Sequence, residues 1–297
     1  VFEPGEYELV DFGDGRKLER FGAELLDRPS PAAEGTAIAN PTSWETASAR
    51  FDIVRGSGGG GRGEWEGVVG EEWSIRHGES RLLLQLGPSG NIGVFPEQAG
   101  NWDWIAQQVR ERASALTADR PRVLNLFAYT GGASLAAAVA GAEVTHVDSS
   151  GPTVASARRN ADAAGLADVP IRWLVEDAMK FVSRECRRGN RYDGIVADPP
   201  TYGHGPKGRP FKFRQHLDEL MERCGELLGA ADSTGPTGQF LLFSCHAPGF
   251  GPDDAFTTVT GVLPGSDGRV TAEPLTLDCA DGRQLAAGVS ARWTSLH

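Results

Sequence analysis

The chain has 297 residues, of which 40% are hydrophobic and 23% charged; this composition can fill a buried core, and the length suggests about two domains. With 40 acidic and 29 basic side chains and a net charge of −11, it is not built to coat DNA or acidic membranes, so any nucleic acid would have to be gripped by a local patch. Apolar runs too short for a bilayer, an N-terminal stretch without a signal-like apolar core, and four cysteines (Cys186, Cys224, Cys245, Cys279) with no C-x-x-C pair predict a cytoplasmic protein with no membrane segment, disulfide framework or metal knuckle.

Residues 1–95 read as a small β-rich domain. Asp14-Gly15 separates two β-capable runs, Tyr7 to Asp11 and Leu18 to Leu26, as in a hairpin. Trp44, Trp65 and Trp73 fall in similar short segments, interrupted by the glycine tract Gly58 to Gly61, and a turn cluster follows at Gly87-Pro88-Ser89-Gly90-Asn91. From residue 96 to 297 the rhythm changes to alternating helices and strands. The pattern predicts a helix over 101–116, a strand over 122–127, an alanine-rich helix over 132–140 and a strand over 143–148. A helix opens at Gly151-Pro152 and closes at Gly165. Strands follow at 171–175, 194–197 and 240–244, and a hairpin around Asp281-Gly282 joins 270–277 to 285–293. This predicts an α/β fold: a Rossmann-like, doubly wound, mostly parallel sheet with a C-terminal antiparallel hairpin.

In such a sheet ligands bind beyond the carboxyl ends of the strands, near the point where strand order reverses. The predicted strand ends are Asn125-Leu-Phe-Ala-Tyr-Thr-Gly131-Gly132, Val147-Asp148, Glu176-Asp177 and Asp198-Pro199-Pro200. Gly131 allows close backbone approach, and the helix after it can receive an anionic group. Asp148 can accept hydrogen bonds from a ribose and Asp177 from an adenine amino group. Singly, these residues could be a plain turn and two helix caps. Together they point to a nucleoside cofactor. The loop lacks the G-x-G-x-x-G of a dinucleotide site, which favours S-adenosylmethionine, a cofactor without phosphate.

Val123 to Ser134, Val147-Asp148, Glu176-Asp-Ala178 and Asp198-Pro-Pro200 resemble successive motifs of the class I S-adenosylmethionine-dependent methyltransferases. More narrowly, they are similar to the bacterial large-subunit ribosomal RNA cytosine-C5 methyltransferases and their relatives. Gly93-Val-Phe-Pro-Glu-Gln98 looks like that group's Gly-x-Phe-x-x-Gln element. The resemblance covers about residues 81 to 295; residues 1–80 do not read as the RNA-binding domain of those enzymes. It implies a cofactor pocket lined by Phe95, Gln98, Asn125, Thr130, Gly131, Asp148, Ser149, Asp177 and Asp198.

It also implies an acceptor. Phe243-Ser244-Cys245-His246 resembles the Ser-Cys that supplies the nucleophile of the RNA cytosine-C5 enzymes. A thiolate adding to carbon 6 of cytosine makes carbon 5 nucleophilic enough to take a methyl group, with Asp198 assisting at N3. A free thiol titrates near 8.5, so His246, His204 or another cation would have to favour the thiolate. The bland alternative is a buried strand-end cysteine. Asp198-Pro-Pro also resembles the turn of amino-group methyltransferases, but Thr201 stands where they carry an aromatic and Tyr202 is displaced by one. Between Pro199 and Leu217 no acidic residue occurs, while Lys207, Arg209, Lys212 and Arg214 interleave with Phe211 and Phe213, as single-stranded RNA recognition would use. A second basic run spans Lys180 to Arg191. The expectation is a methyltransferase acting on RNA, ribosomal RNA first, through the 199–217 segment, with Cys245 and Asp198 catalytic. The alternatives are nitrogen methylation without a covalent step and a non-catalytic nucleoside-binding module.

Overall fold

In the computed structural model, residues 2–53, 63–71, 73–116, 119–204, 210–228, 238–263 and 268–295 are described. The tract Gly58 to Gly61, Lys207, Arg209 and the side chains of Tyr202 and His204 lie outside the described residues. The chain forms two compact units, one of residues 1–99 with 276–287, the other of residues 100–275 with 288–297.

The first unit carries a sheet of β1 (Tyr7–Gly13), β2 (Arg16–Phe21), β3 (Glu24–Pro29), β4 (Ala49–Ile53) and β5 (Gly63–Gly67), in that order. A short helix, α1 (Pro41–Trp44), precedes β4, and β6 (Ser74–His77) pairs with β7 (Ser80–Leu83). Two expectations are corrected here. The run Leu18 to Leu26 is two strands, because Gly22 takes a positive φ of 61° and turns the chain back on itself. Trp44 ends a helical turn instead of lying in a strand, with Pro41 in the first-turn position where its missing N–H is harmless. Asp11 anchors the unit's centre: it is 1% exposed and accepts from Trp44 Nε1 at 3.0 Å, the Asn40 N–H at 2.9 Å and Arg283 Nη2 at 2.5 Å. These bonds hold its carboxyl down at about 2 against the cost of burial.

The second unit alternates as the periodicity implied. Helix α2 (Ala99–Ala115) leads into β8 (Arg122–Leu126), α3 (Gly132–Val139), β9 (Glu143–Asp148), α4 (Gly151–Ala163), β10 (Ile171–Val175), α5 (Ala178–Arg188) and β11 (Gly194–Ala197). A small hairpin of β12 (Tyr202–His204) and β13 (Pro210–Lys212) then precedes α6 (Phe213–Leu228), β14 (Phe240–Cys245) and α7 (Pro252–Thr260). Strands β15 (Gly268–Asp278) and β16 (Gln284–Ser295) close the chain, with the tip of their hairpin counted in the first unit. The seven-stranded sheet runs β10-β9-β8-β11-β14-β16-β15. Strands β10 through β14 are parallel, and β16 is antiparallel to β14. Chain order reverses between β8 and β11, which makes that edge the switch point where ligands bind in such sheets.

The central strands β11 and β14 read as apolar runs because both faces are covered. Side chains alternate: Val123, Val196, Phe240 and Leu242 pack with Ile105 and Val109 of α2 on one face. Leu124, Ile195, Leu241 and Phe243 pack with Phe181, Leu220 and Met221 on the other.

Candidate cofactor and acceptor site

The β8–α3 loop holds the left-handed non-glycine residues found among the described residues of the second unit. Phe127, Tyr129 and Gly131 take φ of 55°, 49° and 94°. Two of these are non-glycine residues in the left-handed region, which costs of order 1–3 kcal/mol each and persists only where surrounding structure imposes it. That structure is visible. The Ala128 N–H donates to Val147 O at 3.1 Å, and the Tyr129 N–H to Asp148 Oδ2 at 3.0 Å. Asn160 Nδ2, fully buried on α4, donates to Thr130 O at 2.9 Å. Beneath the loop, Asn125 Nδ2 donates to Ser134 Oγ at 2.9 Å, and Ser134 Oγ lies 2.9 Å from His146 Nδ1. His146 is wholly buried beside Trp173, and among the described residues nothing bonds its Nε2. Burial, with the positive charge of Arg158 second, drives its pKa down to about 3.

The glycines of this loop are required by space. A Cβ on Gly131 would stand 3.2 Å from Ala157 Cβ, and one on Gly132 would stand 2.5 Å from Trp102 Cζ2. Asn160, Trp102 and Ala157 thus support the loop, and none was recognised from sequence. The spacing Ala157-Asn160-Ala161 along the buried face of α4 is a signal for the first and last of these, Asn160 and Ala157; nothing in the sequence near Trp102 points to the loop.

Two carboxylates flank a slot at neighbouring strand ends, since Asp148 pairs in register with Val175 and Asp177 follows two residues on. Asp148 Oδ1 accepts the Ser150 N–H at 2.8 Å while Oδ2 accepts that of Tyr129. Burial nonetheless lifts its pKa above the ordinary carboxylate value. Helix α4 is capped by Ser150, not by Asp148. Asp177 does cap its helix, accepting the Lys180 N–H at 3.0 Å through Oδ1, and no partner of its Oδ2 is found among the described residues. Ser149, Glu176, Ala178 and Met179 complete the slot with Phe127, Val147, Pro200 and Phe211. A slot lined by carboxylates and apolar side chains, near a glycine turn that opens a helix, has the chemistry to hold an adenosine with a charged tail. The slot measures about 40 Å³, and the half-buried Phe211 ring is part of its lining.

Of the residues expected in the pocket, Asp148, Ser149 and Asp177 line this slot, and Thr130 and Gly131 lie on the adjoining loop. Asn125 is 3% exposed and works from beneath, through Ser134. Phe95 precedes and Gln98 ends a short 3-10 turn of the first unit, Phe95 half-buried and Gln98 buried.

Asp198 follows β11 and Cys245 ends β14, parallel neighbours in which Ala197 is in register with Phe243. The thiol belongs to the core on the α5–α7 face, 1% exposed. Burial pushes its pKa up to about 11; the Ala247 N–H opposes this, and the carboxylates of Asp198 and Asp254 add to it. Among the described residues the charges acting on this sulfur are those of the two carboxylates, and the side chain of His204 lies outside them.

Comparison with known proteins agrees with the slot. Residues 39–262 match the family model described as S-adenosylmethionine-dependent methyltransferase. A solved structure of such an enzyme from Agrobacterium tumefaciens is 36% identical, with a TM-score of 0.85 over 98% of this chain and 90% of that one. Ribosomal RNA large subunit methyltransferase K/L of Alcanivorax borkumensis is 30% identical over 62% of this chain, and methyltransferase I of Aeromonas hydrophila 29% over 61%. The matches span only 23% and 41% of those two proteins' own lengths. No helix among the described residues is long and apolar enough to cross a membrane, and none of their His, Cys, Asp and Glu side chains cluster as a metal site. The family match over most of the chain and the slot at the switch point agree: the chain belongs to the S-adenosylmethionine-dependent methyltransferases.

Proposed function

We propose that this protein transfers a methyl group from S-adenosylmethionine to ribosomal RNA, at carbon 5 of a cytosine. The observation that carries the proposal is the pair Asp148 and Asp177 at neighbouring strand ends, beside the strained loop that ends at Gly131. Bound there, the cofactor would supply an electrophilic methyl on its sulfonium sulfur. Asp148 would hold the ribose and Asp177 Oδ2 the adenine amino group, while Phe127 and Met179 keep water from the ring. RNA as the acceptor is supported by the names of the two ribosomal RNA methyltransferases similar to this chain.

Support for carbon 5 comes from the neighbouring ends of β11 and β14, which bear Asp198 and Cys245. Cys245 would add to carbon 6 while Asp198 hydrogen-bonds at N3; once carbon 5 has taken the methyl group, a base would remove the carbon-5 proton, re-forming the 5,6 double bond and expelling the cysteine thiolate. With its pKa near 11 the resting thiol is neutral, so this chemistry requires its proton to leave as the base docks. Asp198, the first of the carboxylates acting on it, is the group suited to take it.

A second reading is favoured by one observation, the burial of that neutral thiol: transfer to a base nitrogen oriented by Asp198-Pro199-Pro200, without a covalent step. Incubation with labelled S-adenosylmethionine and ribosomal RNA, then mass spectrometry of the digested nucleosides, separates the two. Carbon-5 transfer yields 5-methylcytidine and is abolished in Cys245→Ala. Full transfer by that variant establishes the nitrogen reading, and no labelled nucleoside from any RNA refutes both.

A further inference from the structure

The cofactor slot opens beside a larger trough of about 570 Å³ between α5 and α6. The two share Glu176, Asp177, Met179 and Phe211 as a wall, yet the trough extends well past anything an adenosine needs. Lys180, Arg184 and Arg187 line one side. Their spacing, i, i+4 and i+7, places all three on one face of α5. Phe211 and His216 line the other, with ring centroids 5.3 Å apart. The Lys212 N–H donates to His216 Nδ1 at 3.0 Å, which leaves Nε2 to carry the ring proton.

The acids of the trough are largely engaged. Arg184 holds Glu176 through two bonds, at 2.5 and 2.7 Å, and Asp177 caps α5. Glu219 is exposed. Lys180 and Arg187 are exposed and make no ion pair among the described residues, so two cations face aromatic rings across an open channel. In a chain of net charge −11, such an arrangement is not a by-product of a generally basic surface.

We propose that this trough binds a single-stranded RNA segment flanking the methylated nucleotide, with Lys180 and Arg187 on its phosphates and a base stacked on Phe211. Cations that track a backbone and aromatic rings that accept any base are the two components of single-strand binding. The proposal rests on the RNA reading above, and the test separates the two.

The full chain, saturated with S-adenosylhomocysteine, is titrated with a fluorescently labelled, cytidine-rich oligoribonucleotide of about twelve residues at several salt concentrations. The variant is Lys180→Gln/Arg187→Gln, at exposed helical positions outside the cofactor slot, and calorimetry with S-adenosylhomocysteine verifies that its fold is intact. The expected result is RNA affinity reduced by about tenfold or more, with a salt dependence shallower by about 1.4 in log–log slope, about 0.7 for each phosphate that the variant no longer neutralises. Unchanged affinity and slope in the variant, with RNA bound by the wild type, overturns the trough alone. A wild type that binds S-adenosylhomocysteine but no RNA overturns both the trough and the RNA reading.

Discussion

The Tyr129 N–H donates to Asp148 Oδ2 at 3.0 Å, so the carboxylate placed to hold a ribose also fastens the strained loop that receives the rest of the cofactor. Substrate-binding and loop-shaping duties fall on one side chain. Its raised pKa shows that burial costs the carboxylate more than its two backbone bonds return. Asp148→Asn removes that buried charge while giving up one backbone acceptor, and the two effects oppose each other. The expected outcome is a melting temperature within about 4 °C of the wild type, measured by scanning calorimetry without ligand. A fall well beyond that would mean the charge itself holds the loop.

The glycines of the loop should respond differently from an ordinary turn glycine. Gly141 takes φ 104°, and a methyl added there would meet nothing within 4 Å, so the cost of Gly141→Ala is confined to its backbone. Gly131→Ala adds contact with Ala157 at 3.2 Å, and Gly132→Ala drives a methyl to 2.5 Å from the Trp102 ring. Denaturant unfolding should show Gly132→Ala destabilised by about 1–3 kcal/mol through overpacking, and Gly131→Ala more destabilised than Gly141→Ala.

Much of this framework was legible in the sequence, for physical reasons that differ by element. Strands β9, β10 and β11 begin and end where the sequence predicted because each is a short β-prone run ended by Asp, Glu or a Pro pair, although β10, at the sheet edge, has no buried residue. The division of 18–26 at Gly22 was missed because the flanking residues alternate as one long strand would. Asp148 and Asp177 were found because strand ends in this topology converge. Asn160 and Trp102 were not, since each acts on the loop from a distant part of the chain. The direction of Cys245 was also hidden: a strand-end thiol facing the core and one facing a cleft have the same sequence.

His146 should make stability depend on pH. Its pKa, about 3 in the folded protein against 6.5 ordinarily, means the unfolded chain binds the extra proton. Its contribution is therefore complete above about pH 6.5 and is lost as pH falls toward 3, by up to about 1.4 kcal/mol per pH unit. Urea unfolding between pH 7.5 and pH 5 should show a shallower decline in His146→Gln than in the wild type. Parallel curves would mean that this ring takes up its proton in the fold as readily as in the unfolded chain.

Cys245 should be inert in the resting protein. A buried thiol with a pKa near 11 is thiolate in fewer than about one molecule in a thousand at pH 7.5. Iodoacetamide followed by peptide mapping should leave it unmodified in the folded chain and alkylate it fully in urea. Rapid labelling of the folded protein would show a more open and acidic site than the structure has.

The central claim is that Asp148 and the loop at Gly131 hold S-adenosylmethionine, and calorimetric titration with S-adenosylhomocysteine tests it most directly. The wild type should bind one equivalent, and Asp148→Ala should bind at least about tenfold more weakly, since charge-assisted bonds to the ribose contribute of order 1.5–3 kcal/mol. Equal affinity in the two proteins, or no binding by the wild type, would contradict it.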